Sequence, residues 1–417
     1  MDIKSIFISI KPKIPGALYE PLDKNEKNHI GVLVMHSDEN YLSFSAGEEL
    51  SKRGYTVLCV NVSDRNNSLN TKLLEASFAV RYLKQYQGIE KVLLFGHSGG
   101  ATLMSAYQNI AENGPEIFQG KEKLIKCPSE LNGFEPADGL LLIDSNWGNG
   151  AMRLFSLNPA IISEDNGTKI DPSLDLFNPE NGFSPDGSTY DKAFIRRFQK
   201  MQGKRNNHLI SHALERLDKI ESGKGRYKDD EPFVVPDAAQ GFMNNKLYAQ
   251  DIRLMSHTRK EQNLLHLNGI LTKEVVHSLR KPENSESLAN SLGEGALITT
   301  VKKFLDSYAI RTTDEYGYDE SSVYGVDWSS SYNCTTGNVK GIHSPILIMG
   351  MTGGWEFACA ETIYDNATSE NKTLTYVEGA NHLFKLAENL ETKRDQFGDT
   401  MKTTYDYIDN WIDKFYK

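Results

Sequence analysis

The sequence predicts an α/β fold, a mostly parallel sheet of about eight strands with helices on both faces, joined by a mainly helical cap insertion. Three observations lead there. Short apolar runs rich in β-branched residues alternate with helix-like stretches through residues 1–144 and again over 341–417. The run Lys91-Val-Leu-Leu-Phe-Gly-His-Ser-Gly-Gly100 stops abruptly at a serine boxed in by glycines. Between Ser145 and about Lys340 the strand-helix rhythm fails, and amphipathic helical text is broken by Gly, Pro and Asn clusters.

Taken in chain order, the expected strands are Asp2 to Ile10, Gly16 to Glu20, Gly31 to Met35, Thr56 to Val62, Lys91 to Phe95, Gly139 to Ile143, Pro345 to Met349 and Leu374 to Val377. Helical patterns cover Ser43 to Lys52, Thr71 to Gln85, Ala101 to Glu112 and Thr400 to Phe415. Residues 1–144 and 341–417 thus form the expected core, and 145–340 the cap or lid. Inside the cap, Lys192 to Met201 and His208 to Ile220 have helical spacing. Its aromatic residues, among them Phe155, Phe177, Phe183, Tyr190, Phe194, Phe198, Phe233, Phe242 and Tyr248, read mostly as the cap's own core.

Composition narrows the function classes. A chain of 417 residues exceeds one minimal core and suits a large domain with a substantial insertion. The formal net charge of -10, with Lys and Arg interspersed among acids, argues against nucleic acid as a partner. The first residues alternate like a strand without the apolar stretch of a secretory signal, and no run approaches membrane-spanning length. Four cysteines without metal-like spacing complete the expectation of a cytoplasmic protein with no membrane partner; Cys59 reads as a small buried hydrophobe.

A serine hydroxyl is a weak nucleophile unless a tight strand-to-helix turn lifts it clear of the sheet, and such a turn leaves no room for side chains two residues either side. Gly96 and Gly100 supply that room around Ser98, in a G-x-S-x-G elbow between an apolar strand and the helix that opens at Ala101. The elbow after the fifth strand, with the first two strands joined by a short loop, resembles the α/β-hydrolase superfamily and its serine esterases and lipases. The resemblance covers residues 1–144 and 341–417; the elbow is its specific motif and the other strands match by pattern.

In that superfamily the order along the chain is nucleophile, acid, histidine. His382, in Tyr376-Val-Glu-Gly-Ala-Asn-His-Leu-Phe384 after the eighth strand, fits the histidine. The loop after the seventh strand reads Gly350-Met-Thr-Gly-Gly-Trp355, with glycines where an aspartate usually stands. Asp144, at the end of the sixth strand, is the leading candidate for the acid, because a charged residue ending an apolar run demands a partner. Glu356 and Glu361 are its rivals. For the oxyanion, Gly99 supplies one backbone donor, and Ser37 or Asp38 the other, from a loop in which His36 and Ser37 replace the family's usual His-Gly. His36, His97 and Trp147 are candidates for contact with substrate; the other role open to His97 is packing.

The resemblance implies a serine hydrolase that cleaves a carboxylic ester through an acyl-enzyme on Ser98, with no cofactor and with a small acyl substrate as its partner; a minority of the cap aromatics lining an apolar pocket would make that substrate hydrophobic. Thioester, amide, lactone or carbon-carbon cleavage, and a ligand-binding protein without turnover, remain alternatives, and a homodimer remains open. His208 and His212 share a helix face, but the glutamate of a His-Glu-x-x-His metal site is absent.

Overall fold

In Ile30-Gly-Val-Leu-Val-Met-His36 every residue is buried, so this strand needs a covering layer on each side. Val32 and Val34 pack on one face with Tyr55, Phe95 and Leu141, while Leu33 and Met35 pack on the other with Leu73 and Leu103. The period of two along an extended chain thus divides the core into two layers around one sheet. The computed structural model describes residues 1–23, 25–239, 245–283, 295–387 and 390–417.

The main sheet contains β1 (Ile3–Lys11), β2 (Ile14–Pro21), β3 (Ile30–His36), β4 (Thr56–Asn61), β5 (Lys91–Ser98), β6 (Gly139–Ser145), β7 (His257–Leu265), β8 (Leu271–His277), β9 (Ile346–Met351) and β10 (Lys372–Val377). Their spatial order is β1-β2-β4-β3-β5-β6-β9-β10-β7-β8. The pairs from β4 through β3, β5, β6, β9 and β10 to β7 are parallel, and β1, β2 and β8 run antiparallel to their neighbours. One face carries α2 (Leu69–Gln85), α3 (Gly100–Asn113) and α5 (Phe357–Asn366); the other carries α1 (Ser45–Ser51) and α6 (Thr400–Tyr416). Among the described residues no helix is long and apolar enough to cross a membrane.

All eight expected strands are present, and the inserted stretch contributes two more. β7 joins β10 through the pairs Asn263↔Thr375, Leu264↔Tyr376 and Leu265↔Val377, so residues 257–277 extend the core sheet although they lie within 145–340. Arg259, Lys260 and Glu261 are exposed along β7, the charged dress of strands near a sheet edge, and this hides the strand from an apolar pattern search. The two amphipathic stretches of the insertion are one thirty-residue helix, α4 (Lys192–Glu221), started by Asp191, whose side chain accepts from Phe194 N. Gly203 at its middle is a packing device: a Cβ there would lie 3.0 Å from the Tyr316 ring. The described insertion also holds three two-stranded sheets and shorter helices such as Asn149–Ser156, so it is mixed in structure and not the mainly helical cap expected.

Phe155, Tyr190, Phe194, Phe198 and Tyr248 are buried in the main core, and Phe233 belongs to a separate cluster within the insertion. Phe242 lies outside the described residues. All four cysteines are buried and unpaired.

Candidate active site

The elbow is built by exclusion. A Cβ at position 96 would stand 2.6 Å from Ala101 Cα, and one at position 100 would stand 2.5 Å from the Met35 carbonyl oxygen, so glycine is required where β5 turns into α3. Ser98 itself adopts φ 54°, in the left-handed region that non-glycine residues avoid. Gly99 forms the N-cap of α3, where unpaired backbone N–H groups and the helix dipole favour negative charge.

On the next strand Asp144 also has a positive φ, 44°, and the register of β5 with β6 slips there: His97 pairs with Ile143 but Ser98 with Ser145. The extra residue is a bulge, which re-aims a side chain out of the strand's alternation. Asp144 is fully buried. One carboxyl oxygen accepts from Met351 N at 3.0 Å and the other lies 2.7 Å from His382 Nδ1. The glycines after β9 explain why no acid stands in that loop. A Cβ at Gly354 would come within 3.0 Å of Asp144 Oδ2, so the loop packs around an acid supplied by its neighbour.

His382 is carried by the loop after β10, where Gly379 takes φ 73° and donates its N–H to Thr352 Oγ1 at 2.8 Å. The histidine's carbonyl oxygen is 2.7 Å from His97 Nε2, and His97 Nδ1 is 2.6 Å from Tyr41 Oη. These partners assign the proton of His97 to Nε2 and make Nδ1 an acceptor from the tyrosine. Burial holds the His97 pKa well below the ordinary histidine value, so this link is a neutral one. The two imidazole rings lie 4.4 Å apart at 35°. Neither Ser98 Oγ nor His382 Nε2 forms a hydrogen bond among the described residues.

A second carboxyl also faces the histidine. Glu356, just before α5, places Oε2 3.3 Å from His382 Nδ1. Burial raises the Glu356 pKa, with Asp144 adding to the rise and His382 opposing it. Burial alone would lower the pKa of His382, but the Glu356 charge and the Asp144 hydrogen bond outweigh it and raise the value to about 9. One donor atom from each of Asp144, Glu356 and His382 lies within 4.8 Å of the others, a spacing that could hold a cation. Both Asp144 oxygens are already engaged by protein groups.

The loop after β3 holds His36 neutral, its pKa lowered to about 4 by burial. Its Nδ1 accepts from Asp38 N at 3.0 Å and Glu39 N at 2.9 Å, which assigns the proton to Nε2. That atom would be 3.1 Å from a Cβ on Gly99, so an imidazole N–H sits at the elbow. The Asp38 backbone is therefore committed and does not supply the donor expected of it. Its carboxylate turns to Lys72 at 2.9 Å and to the Ser37 hydroxyl; burial would raise its pKa, but these partners bring it below the usual range.

A cavity of about 470 Å³ opens at Ser98, and its wall includes His36, Gly99, Arg65, Asn146, Lys303 and Glu356. Two residues expected at the substrate stand elsewhere. Trp147 is 2% exposed, packed against Phe155 and Trp328, and His97 is buried behind the elbow. Glu361 also leaves the site: it accepts from Arg259 N, Lys260 N and Gln262 Nε2, tying α5 to the β7 edge. His208 and His212 are both exposed on the long inserted helix. Tyr41 and its bond to His97 were not legible in the sequence, since nothing local marks a tyrosine whose partner lies 56 residues on.

No family model matches the chain, and no curated protein matches its sequence. Solved structures similar to it include Est1E from Butyrivibrio proteoclasticus, at 10% identity and TM-score 0.40 over 98% of both chains. The alpha/beta hydrolase GrgF from Penicillium sp. sh18 is similar at 10% identity and TM-score 0.42 over 99% of both. The siderophore hydrolase EstB from Aspergillus fumigatus is similar at 11% identity and TM-score 0.43, covering all of this chain and 98% of that one. Independently of these, the order and direction of the strands, with the serine elbow between β5 and α3, give this chain the α/β-hydrolase fold.

Proposed function

We propose that the protein hydrolyses a carboxylic ester through an acyl-enzyme on Ser98, with His382 as general base and acid and Asp144 as the residue that orients it. The observation that carries this reading is the 2.7 Å bond from His382 Nδ1 to Asp144 Oδ2, beside a serine held at φ 54° on the adjoining strand. It fixes the imidazole tautomer that leaves Nε2 available to the serine hydroxyl.

In the first half-reaction Ser98 Oγ bonds to the ester carbonyl carbon while His382 Nε2 takes its proton. Negative charge moves to the carbonyl oxygen, where Gly99 N–H, Ser37 N–H and the Nε2–H of His36 are the donors available to it. The imidazolium then gives its proton to the departing alcohol as the carbon-oxygen bond breaks. In the second half, water loses a proton to His382 and attacks the acyl carbon, and Ser98 leaves as the proton returns to it. The net change is ester plus water to acid plus alcohol.

The cavity's wall supports a polar substrate as an alternative to the hydrophobic one expected. Most aromatic residues of the insertion are spent in cores, and the wall at Ser98 carries histidine, arginine, asparagine, lysine and carboxylate side chains beside Met152 and Tyr308. A polar substrate satisfies such a wall, whereas an apolar one would strip it of water without replacing the hydrogen bonds. The test is covalent labelling by a fluorophosphonate probe together with turnover of 4-nitrophenyl acetate. Wild type should do both and Ser98→Ala neither; a wild-type protein inert to probe and ester alike would favour a binding role without turnover.

A further inference from the structure

Just past the end of β6, two residues after Asp144, stands Asn146. It is 7% exposed and lines the cavity at Ser98. Its Oδ1 accepts from Gly148 N at 2.9 Å, which fixes the amide plane and identifies Nδ2 as the free end. That nitrogen donates to nothing among the described residues, and it is not one of the polar atoms sealed in the core. A primary amide nitrogen carries two N–H donors, and a polar group this deep is almost always paired. Here the partner comes from whatever occupies the cavity.

The turn that follows makes the same demand. Gly148 has φ 115°, and a Cβ there would collide with the Asn333 carbonyl oxygen, so the N-cap of the helix Asn149–Ser156 is a glycine with no side chain to offer the first N–H groups. The helix start is left open to an acceptor. Asn149, its first residue, is half-buried in the same cavity wall, and its amide also hydrogen-bonds to nothing among the described residues. The acids of the wall stand apart from these donors: Asp38 is held by Lys72 and Ser37, Glu356 faces His382, and Glu39 is exposed.

Resting on the Ser98 reading for the position of the scissile bond, we propose that Asn146, with Asn149 three residues on, holds a second carbonyl-type oxygen of the substrate, a ketone, ester or carboxylate oxygen a few atoms from that bond. Such an oxygen accepts and has no proton of its own to place, which suits a donor whose own acceptor is already spent on Gly148 N. An alkyl arm in the same place would exclude water from Nδ2 and leave it bare. That difference is what lets a site built to hydrogen-bond reject an analogue lacking the partner.

The experiment compares matched esters with and without the second oxygen at pH 8, with spontaneous hydrolysis subtracted. On the acyl side they are 4-nitrophenyl hexanoate, 4-nitrophenyl 5-oxohexanoate and mono-4-nitrophenyl adipate; on the alcohol side, pentyl acetate and 4-oxopentyl acetate. The oxygen-bearing member should be preferred about tenfold in kcat/KM in at least one series. A preference confined to the adipate ester assigns the oxygen to a carboxylate, and one shared by a ketone assigns it to a neutral carbonyl. Asn146→Asp keeps the acceptor for Gly148 N but puts an acceptor where the donor was, and Asn146→Leu removes the amide; each should bring the ratio to one or below. Should Asn146→Leu not fold, Asn146→Asp decides alone. Equal kcat/KM throughout both series for wild type, or a ratio that the variants leave unmoved while all rates fall together, overturns the proposal. Should wild type turn over none of the five esters, the Ser98 reading fails by itself. The subsite is then judged by calorimetric titration of the uncleaved esters: the oxygen-bearing member should bind about tenfold more tightly than its alkyl counterpart and lose that advantage in Asn146→Asp, and equal binding to wild type would overturn it.

Discussion

Replacing Glu356 by glutamine should shift the pH dependence of ester turnover to lower pH and leave turnover itself intact. The environment lifts His382 from 6.5 to about 9. A rise of that size, roughly 2.5 units, is worth about 3.4 kcal/mol, and because burial pulls the other way the two carboxyls together contribute more than this. The Glu356 charge is the largest single raising influence, with its oxygen 3.3 Å from the ring nitrogen, while the hydrogen bond and charge of Asp144 stay in the variant. Losing about half of the net rise lowers the pKa by a little over one unit. A general base must be neutral, and at pH 7 a group with pKa about 9 is neutral in roughly one molecule in a hundred, against one in ten for pKa about 8. So kcat/KM at neutral pH should increase about tenfold in Glu356→Gln. The assay is kcat/KM for 4-nitrophenyl acetate across about pH 6 to 10 with the spontaneous rate subtracted, since this parameter reports the free enzyme's pKa. An ascending limb that stays in place would refute the electrostatic account. A fall of about a thousandfold would instead make Glu356 the orienting acid.

Three further outcomes follow from the same geometry. Asp144→Asn should lower kcat by on the order of three to four powers of ten while circular dichroism stays unchanged, because the amide favours the wrong imidazole tautomer. Tyr41→Phe strips the donor from a buried histidine nitrogen and should destabilise the fold by about 1–3 kcal/mol, read as a lower urea midpoint at constant m-value. Gly96→Ala drives a Cβ into backbone, 2.6 Å from Ala101 Cα, and should cost on the order of 2–3 kcal/mol and abolish fluorophosphonate labelling.

What could be read from sequence here was whatever local periodicity or a rigid turn imposes. β3, β5 and β6 are continuous apolar runs because both their faces are covered, and the elbow is visible because only glycine fits at positions 96 and 100. Asp144 stood out as a charge at the end of an apolar run, and its partner proved to be the histidine 238 residues away. β7 and β8 were hidden because an edge of the sheet tolerates Arg259, Lys260 and Glu261, which erase the apolar signal. Glu356 ranked level with Glu361 because both sit close behind β9, and nothing local tells which of two acids faces the sheet's end and which is tied to its edge. Nor could the polarity of the cavity be foreseen, since it depends on which aromatic residues the insertion keeps for its own packing.

The displaced acid leads to the last prediction. Ser98 and Asp144 are neighbours on β5 and β6, and both hold positive φ, a conformation that costs of order 1–3 kcal/mol for each non-glycine residue. Strands buried on both faces can hold that strain, and the bulge at Asp144 turns its carboxyl towards His382. The loop after β9 then acts as a receptor for the acid: Met351 N donates to one oxygen, and the bare backbone of Gly354 leaves space for the other. If the glycine is there for the acid, Gly354→Ala should press a methyl group against Asp144 Oδ2, 3.0 Å away, and disturb the bond to His382 rather than the fold. The expected result is a loss of about ten- to a hundredfold in kcat with KM nearly unchanged, the pattern of a group mispositioned by a fraction of an ångström. Full activity in Gly354→Ala, beside an inactive Asp144→Asn, would mean that the loop merely passes the carboxyl and that the bulge alone sets its aim.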